Sequence, residues 1–219
     1  MSRINQKKQL TLIIASGVVG VGLLTFASLG FWDFFQTTRT GIDIPTSATV
    51  TQTTTVSEKP VVVNQTSYSV PADQARTIQI PKLGIDAYVQ KVGMDKSGAM
   101  STSNNINFAG WYVKSVTPGS DGVSIINGHA GGRYTEGIFR HIGTLEPADI
   151  ISIQMGDMSV RTFSVVSTVT YDVADAAEPL LHDDPSIDEE LHLITCDGTF
   201  DDHLQSYDKR TIIVAKYIR

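Results

Sequence analysis

The single cysteine of the chain, Cys196, is the residue best suited to nucleophilic chemistry. It follows the apolar run 191–195 and precedes the turn signal Asp197-Gly198. A cysteine nucleophile needs a group that moves protons, because the thiolate attacks and the leaving amine must be protonated. From the residues alone, Cys196 could also be a buried apolar side chain or pair between molecules, and these alternatives stay open.

Among the five histidines, His129 is the best candidate for the proton-transfer group. It follows the apolar run 122–128 and lies in the glycine-rich segment 128–132, which leaves room for a substrate. Four residues apart on one strand, His192 and Cys196 would lie about 13 Å apart, too far to share a metal ion. We predict no bound metal and no cofactor. The remaining histidines lie in less suitable places: His141 in a possible short helix, His182 in an acidic loop and His203 in a polar loop.

A cation could complete such a site, and Lys209 and Arg210 stand at the start of the last predicted strand. An arginine beside a thiolate lowers the pKa of the thiol or binds the carbonyl oxygens of a peptide. Successive strand residues point to opposite faces, so Lys209 should point away from the face that Arg210 shares with the site. The alternative is that both side chains face solvent and pair with Asp208.

The charge of the chain is acidic, with a formal net charge of −6. This balance argues against a protein that neutralises nucleic-acid phosphates, and we predict no nucleic-acid partner. Segment 172–208 carries twelve Asp or Glu and no Lys or Arg, and Cys196 lies inside it. Because nearby negative charge disfavours a thiolate, we expect a mainly protonated thiol near neutral pH unless His129 and Arg210 outweigh the acids.

Short β-rich runs dominate residues 76–219, and turn signals separate them. Two stretches, 137–145 and 174–181, could hold short helices. Many short strands without long helices predict a mainly β domain, either a closed barrel or a sandwich. The predicted strands are 76–80, 85–92, 122–128, 150–155, 160–171, 191–195 and 211–218.

The N-terminal region is typical of a membrane anchor. Residues 10–30 contain no charged side chain, and a helix of that length spans about 31 Å, close to the thickness of the hydrocarbon core. Three basic residues precede this run, so the positive-inside rule puts the N-terminus in the cytoplasm. We predict a cytoplasmic tail at 1–9 and a transmembrane signal anchor at 10–31. A cleaved signal peptide is the alternative.

The segment 36–75 is rich in threonine, contains three prolines and lacks a sustained hydrophobic period. Such a composition buries too little apolar surface to offset the entropy lost on ordering. We predict a flexible extracellular linker that lifts the domain at 76–219 off the membrane. The alternative is an irregular N-terminal part of the folded domain, with 61–63 as an added strand.

Three motifs occur in a recognisable order: Asn127-Gly128-His129, then Leu193-Ile194-Thr195-Cys196, then Arg210. The segment Ile80-Pro81-Lys82-Leu83-Gly84-Ile85 stands before them. Together they resemble the sortase family, the cysteine transpeptidases that attach proteins to the wall of Gram-positive bacteria. The resemblance covers nearly all of 76–219. Segments 107–112 and 195–201 resemble class F most, with classes E and D as alternatives.

This resemblance implies an eight-stranded sortase-type β-barrel with short helices, preceded by the transmembrane helix. Cys196 would attack the Thr–Gly bond of an LPxTG-like sorting signal and form a thioacyl enzyme, with His129 as acid and base. Arg210 would bind the peptide and the oxyanion, and Thr195 would shape the oxyanion site. The partners would be secreted proteins with a sorting signal and an amine from a peptidoglycan precursor or a pilin lysine. The catalytic domain would face outward from a single-pass membrane protein.

Two other functions fit parts of the pattern. A papain-like cell-wall peptidase also combines cysteine and histidine, but it places the cysteine first and on a helix. Here the best histidine, His129, comes first and the cysteine follows a strand. A non-enzymatic membrane-anchored adhesin or pilus-base protein with a β domain would need only a buried Cys196. Rapid labelling of the thiol in the folded protein would favour the enzyme.

Overall fold

The structure, a computed structural model, describes residues 56–60, 68–202 and 206–219. These ranges belong to one unit, 44–219. The predicted cytoplasmic tail and the predicted transmembrane anchor lie outside the described residues. Within the described ranges, no helix has both the length and the apolar character needed to cross a membrane.

Eight strands close into a barrel in the order β1-β2-β3-β4-β7-β8-β6-β5, with β1 and β5 antiparallel at the closure. The pairs β2–β3 and β4–β7 are parallel, and the other pairs are antiparallel. The strands are β1 Ala75–Ile80, β2 Ile85–Val92, β3 Ala109–Tyr112, β4 Gly122–Gly128, β5 Ile150–Met155, β6 Val160–Asp172, β7 Glu189–Asp201 and β8 Ser206–Ile218. Short 3-10 helices occupy Pro81–Leu83, Ile142–Thr144 and Val173–Asp175, and the α-helix α1 spans Ala177–Leu181.

The closed eight-stranded barrel with short helices confirms the predicted mainly β barrel, while the transmembrane helix predicted before it lies outside the described residues. Seven strands overlap the predicted runs, and β2, β4 and β5 have the predicted bounds. β3 is the strand that the sequence does not predict. Its four residues are all buried, so it shows none of the polar alternation that marks a strand with one solvent face.

Two stretches of the predicted linker are packed on the barrel. The hydroxyl of Tyr68 donates to the carbonyl of Val89 at 2.8 Å, and the Tyr68 carbonyl accepts from Arg76 Nε at 2.8 Å. Residues 56–60 also form hydrogen bonds to loops of the barrel. The folded part of the chain therefore begins before the predicted boundary at residue 76, because backbone and side-chain groups of the linker find partners there.

The strands β4, β7 and β8 bury side chains on both faces. Leu193 and Ile213 point into the barrel core. Ile194 and Ile212 point outward and form a second apolar cluster with Leu180 of α1. Two buried faces give continuous apolar runs, which is how these strands appear in the sequence. The outer face is also the one that carries the candidate site.

Candidate active site

Cys196 and Arg210 lie side by side on β7 and β8, and His129 follows the end of β4, the other neighbour of β7; we call these three residues the row. In the antiparallel pair of β7 and β8, Cys196 is directly opposite Arg210. In the parallel pair of β4 and β7, Asn127 is opposite Ile194, and the Gly128 carbonyl accepts from Thr195 Oγ1, so His129 follows β4 at the level where β7 continues into Cys196. Because neighbouring strands are about 4.8 Å apart, the fold brings the three predicted site residues together.

Cys196 is buried, and it lies inside β7 rather than at the end of a strand. The expectation that the strand stops at Thr195 is wrong, because β7 continues to Asp201. The pairing with β8 becomes irregular just after Cys196, and Gly198 there has a φ of 81°, a left-handed conformation that favours glycine. The turn signal in the sequence therefore marks a bulge, and bulges are common where a strand re-aims a side chain beside a site.

Arg210 is fully buried, which contradicts the alternative in which it faces solvent. Nη1 donates to the carbonyls of Tyr207 and Lys209 at 2.9 and 2.7 Å, and Nη2 donates to Ser206 Oγ at 3.0 Å. These bonds fix the guanidinium against the start of its own strand. Nε is buried and has no acceptor among the described residues. A buried donor without an acceptor is costly, so Nε is the atom suited to bind a substrate oxygen.

Lys209 points away from the site, as predicted. It is opposite Asp197 in the β7–β8 hairpin, and its side chain is half exposed. Its Nζ lies 3.9 Å from Asp172 Oδ1, whereas Asp208 accepts a hydrogen bond from the Thr199 amide at 2.7 Å. An exposed ion pair of this length contributes little to stability.

His129 is almost completely buried, and its Nε2 lies 2.9 Å from the carbonyl oxygen of Ser103. Because a carbonyl can only accept, Nε2 carries a proton, and in the neutral ring Nδ1 holds the lone pair. Burial lowers the pKa of His129, and the hydrogen bond to Ser103 raises it by less. The imidazole is therefore neutral near pH 7, with Nδ1 as the nitrogen that can accept a proton.

Thr195 points to the opposite face of β7 from Cys196 and is buried. Its Oγ1 donates to the carbonyl oxygen of Gly128 at 2.9 Å. This bond ties β7 to the end of β4, directly before His129. Thr195 thus helps to keep the two strands in register at the site, and its contribution to an oxyanion site stays a prediction.

Negative charge lies close to the thiol. Asp197, the residue after Cys196, accepts from Thr211 Oγ1 at 2.6 Å and from the Gly198 amide at 2.7 Å. The hydrogen bond from Thr211 lowers the pKa of Asp197, so its carboxylate is ionised at neutral pH. Like charge disfavours a thiolate, but Asp197 points to the opposite face of β7 from Cys196, and the buried Arg210 lies directly opposite Cys196. The mainly protonated thiol therefore stays a prediction.

The other described histidines are outside this row. His141 and His182 are exposed. His192 is buried, with Nε2 at 2.8 Å from Glu190 Oε2 and Nδ1 at 2.9 Å from the Leu180 carbonyl. In the described ranges, no group of three or more His, Cys, Asp or Glu could hold a metal ion. His203 lies outside the described residues.

Sequence reasoning does not identify Ser103, although it contacts His129 directly. The contact uses the main-chain carbonyl, which every residue carries, so the residue type gives no signal. The Ser103 hydroxyl donates to the carbonyls of Asn105 and Phe108 at 2.8 and 2.7 Å and shapes the loop that presents this carbonyl.

Comparison with known families decides what this row of residues belongs to. The sortase domain model matches residues 78–218. The chain belongs to the sortase family. This sortase is therefore an enzyme, a cysteine transpeptidase, and its barrel is the sortase fold. Comparison with curated proteins gives no match.

Solved sortases share the fold of this sortase at low sequence identity. Sortase A from Corynebacterium diphtheriae, a lid mutant, is 21% identical with a TM-score of 0.52, over 66% of this chain and 70% of that one. Sortase C from Streptococcus pneumoniae is 18% identical with a TM-score of 0.53, over 79% of this chain and 83% of that one. At these identities the likeness shows the fold, and the resemblance to class F stays a prediction.

Proposed function

We propose that this sortase cleaves an LPxTG-like sorting signal between Thr and Gly and transfers the acyl group to an amine through a thioester on Cys196. The observation that carries the proposal is the position of Cys196 opposite the buried Arg210, whose Nε has no acceptor among the described residues. A buried cation next to a thiol suits a reaction that builds negative charge on both sulfur and a carbonyl oxygen.

In the first half of the reaction, the Cys196 thiolate attacks the carbonyl carbon of the substrate threonine. Negative charge builds on the carbonyl oxygen, and the Arg210 Nε–H stabilises it in a site from which water is excluded. His129 Nδ1 takes the proton of the Cys196 thiol to form that thiolate, while Nε2 stays on the Ser103 carbonyl. Nδ1 then gives this proton to the glycine nitrogen as the C–N bond breaks. The products are a thioester on Cys196 and a released fragment that begins with glycine.

In the second half, an amine attacks the thioester carbonyl. His129 accepts the amine proton at Nδ1, the new amide bond forms and the Cys196 thiolate leaves. We propose that the amine comes from a peptidoglycan precursor or a pilin lysine, and that water replaces it slowly when no amine is present. The substrate would be a secreted protein that carries the sorting signal.

Mass spectrometry of the full chain with a library of sorting peptides tests this function. We expect LPxTG-like peptides to leave an adduct on Cys196 that adds the mass of the peptide up to and including threonine, less one water, because the thioester replaces the thiol hydrogen. An added amine should discharge the adduct and appear in the product. The absence of any adduct across the library, or an adduct on another residue, would contradict the proposal.

The pH dependence of the reaction should reflect the buried histidine. We expect the acid limb of the kcat/KM profile to have its midpoint below pH 6.5, the ordinary pKa of histidine. Burial disfavours the imidazolium, so His129 takes up a further proton only at a lower pH than an exposed ring does. The profile should be measured at low substrate concentration beside an NMR titration of the His129 ring. A midpoint above 6.5 would contradict the effect of burial.

We also propose that residues 10–31 anchor the sortase in the membrane, with the catalytic domain outside. The support is the uncharged run 10–30 behind a basic N-terminus. Protease added to intact protoplasts should remove the domain at 76–219, while a cytoplasmic marker protein survives. Protection of the domain under conditions that digest a known surface protein would reverse the proposed orientation.

A further inference from the structure

A five-residue segment upstream of the barrel, 56–60, is bound to the loop that precedes β3; we name it the strap. Its Ser57 amide donates to the Asn104 carbonyl at 3.0 Å, and the Ile106 amide donates to the Ser57 carbonyl at 2.9 Å. The Lys59 carbonyl accepts from the side-chain amide of Asn105 at 3.3 Å. This pairing joins the strap to the loop that contains Ser103, the residue whose carbonyl binds His129.

The strap is also bound to a second loop, the one that continues from His129. The Glu58 carboxylate accepts from the main-chain amides of Arg133 and Tyr134 at 2.7 and 3.0 Å, and from Thr135 Oγ1 at 3.1 Å. Gly132 makes room for it, because a Cβ there would lie 2.7 Å from the Glu58 carboxyl carbon. Three donors converge on one carboxylate, so this loop is shaped around an anion.

The charge state of Glu58 matches this cradle. Partial desolvation raises the pKa of Glu58, but the hydrogen bonds from Arg133, Tyr134 and Thr135 together outweigh it and keep the pKa below its ordinary value. The carboxylate is therefore ionised at neutral pH. A glutamine would turn one acceptor oxygen into a donor that faces other donors.

His129 lies where the two strapped loops meet. Its ring is bound by the Ser103 carbonyl of the first loop. Its own main-chain carbonyl accepts from the Phe139 amide at 2.9 Å, at the base of the second loop. The position of the His129 ring therefore depends on the first loop and the position of its backbone on the second, and the strap joins these two loops.

We propose that Glu58 is a positioning residue for His129, acting through the strap. The donors to its carboxylate among the described residues all lie in the loop after His129, so it acts through that loop: it keeps the two loops around the imidazole closed, and so keeps the ring buried and aligned. The inference rests on the proposed catalytic function of His129. It assigns a task in the active site to a segment that composition alone marks as linker.

The test compares Glu58→Ala and Glu58→Gln with the control Lys59→Ala, all in the full chain in detergent micelles. Lys59 is the matched control, since it lies in the strap and its recorded hydrogen bonds among the described residues use only main-chain atoms. The readouts are hydrogen exchange of the Arg133 and Tyr134 amides, the NMR titration of the His129 ring and kcat/KM for a sorting peptide.

We expect Glu58→Ala to speed amide exchange at 133 and 134 and to move the His129 titration toward that of an exposed ring. We expect kcat/KM to fall roughly 10-fold to 100-fold, since small misplacement of a catalytic group is costly. Glu58→Gln should change all three readouts in the same direction, and Lys59→Ala should match the unmodified chain. Gly132→Ala keeps the charge of the strap but places a Cβ 2.7 Å from both the Glu58 carboxyl carbon and Ile106 Cδ1, so it should speed amide exchange at 133 and 134 as well.

An unchanged His129 titration in Glu58→Ala would overturn the inference. A gain in kcat/KM would overturn it as well, because the strap would then lower the activity of the site instead of supporting it. If the unmodified chain cleaves no sorting peptide, the proposed substrate is wrong. Amide exchange and the His129 titration still test in that case whether Glu58 positions His129, because neither measurement needs turnover.

Discussion

Cys196→Ala should abolish both cleavage of sorting peptides and the peptide adduct seen by mass spectrometry. The thiolate is the atom that bonds to the substrate in the proposed reaction, and a methyl group cannot replace it. Folding should survive, because the substitution removes one buried sulfur atom and costs about 1 kcal/mol on the scale of small core truncations. Turnover should be measured beside a thermal unfolding curve of the same preparation.

The outcome of this variant separates the enzyme from its alternatives. Lost turnover with an intact fold supports a nucleophilic thiol. A native-like fold with turnover above the uncatalysed rate would remove Cys196 from the mechanism. His141→Ala is the matched control for a lost side chain outside the row, since His141 is exposed and contacts Glu136 instead, and it should keep most of its activity.

Arg210→Lys should lower kcat/KM by about 10²–10³, even though the positive charge is kept. An ammonium is a point charge without the planar fork of a guanidinium. The two Nη atoms of Arg210 bind Tyr207, Lys209 and Ser206 in β8, which leaves Nε for the substrate. A lysine cannot anchor the strand and reach the oxyanion with one nitrogen.

Lys209→Ala provides the matched control for this prediction. Lys209 is the adjacent residue, carries the same charge and points to the other face, so its loss should change kcat/KM little. Arg210→Ala should be at least as impaired as Arg210→Lys. Thermal unfolding of each variant distinguishes a catalytic loss from a folding defect. A mild Arg210→Lys with a native fold would show that charge alone suffices at this position.

The sequence predicts most of the barrel because most strands carry their own signal. Runs such as 85–92 and 150–155 combine β-branched residues with clear turn boundaries. β3 lacks that signal, since Ala109–Tyr112 is short, contains glycine and is buried on both faces. Its strand character comes from pairing with β2 and β4, which a local pattern cannot show.

In the candidate site, the sequence predicts the residues that act through their side chains but not the contacts made by main-chain groups. Cys196, His129 and Arg210 are visible in the sequence because their side chains define the chemistry. The Ser103 carbonyl on His129 is invisible, because any residue could supply it. Glu58 is visible only as an acid in a segment of linker composition, and its partners are main-chain amides more than seventy residues away.

The place of β8 in the barrel determines at which stage of synthesis and folding the active site is complete. β8 lies between β6 and β7 and carries Arg210, and β7 must also find β4 from far earlier in the chain. Such distant pairings form late, since long stretches of chain must close first. A nascent chain that has not yet released β8 from the ribosome therefore has an open sheet and a thiol without its cation. The transpeptidase acquires its active site only when β8 pairs between β6 and β7 and brings Arg210 opposite Cys196.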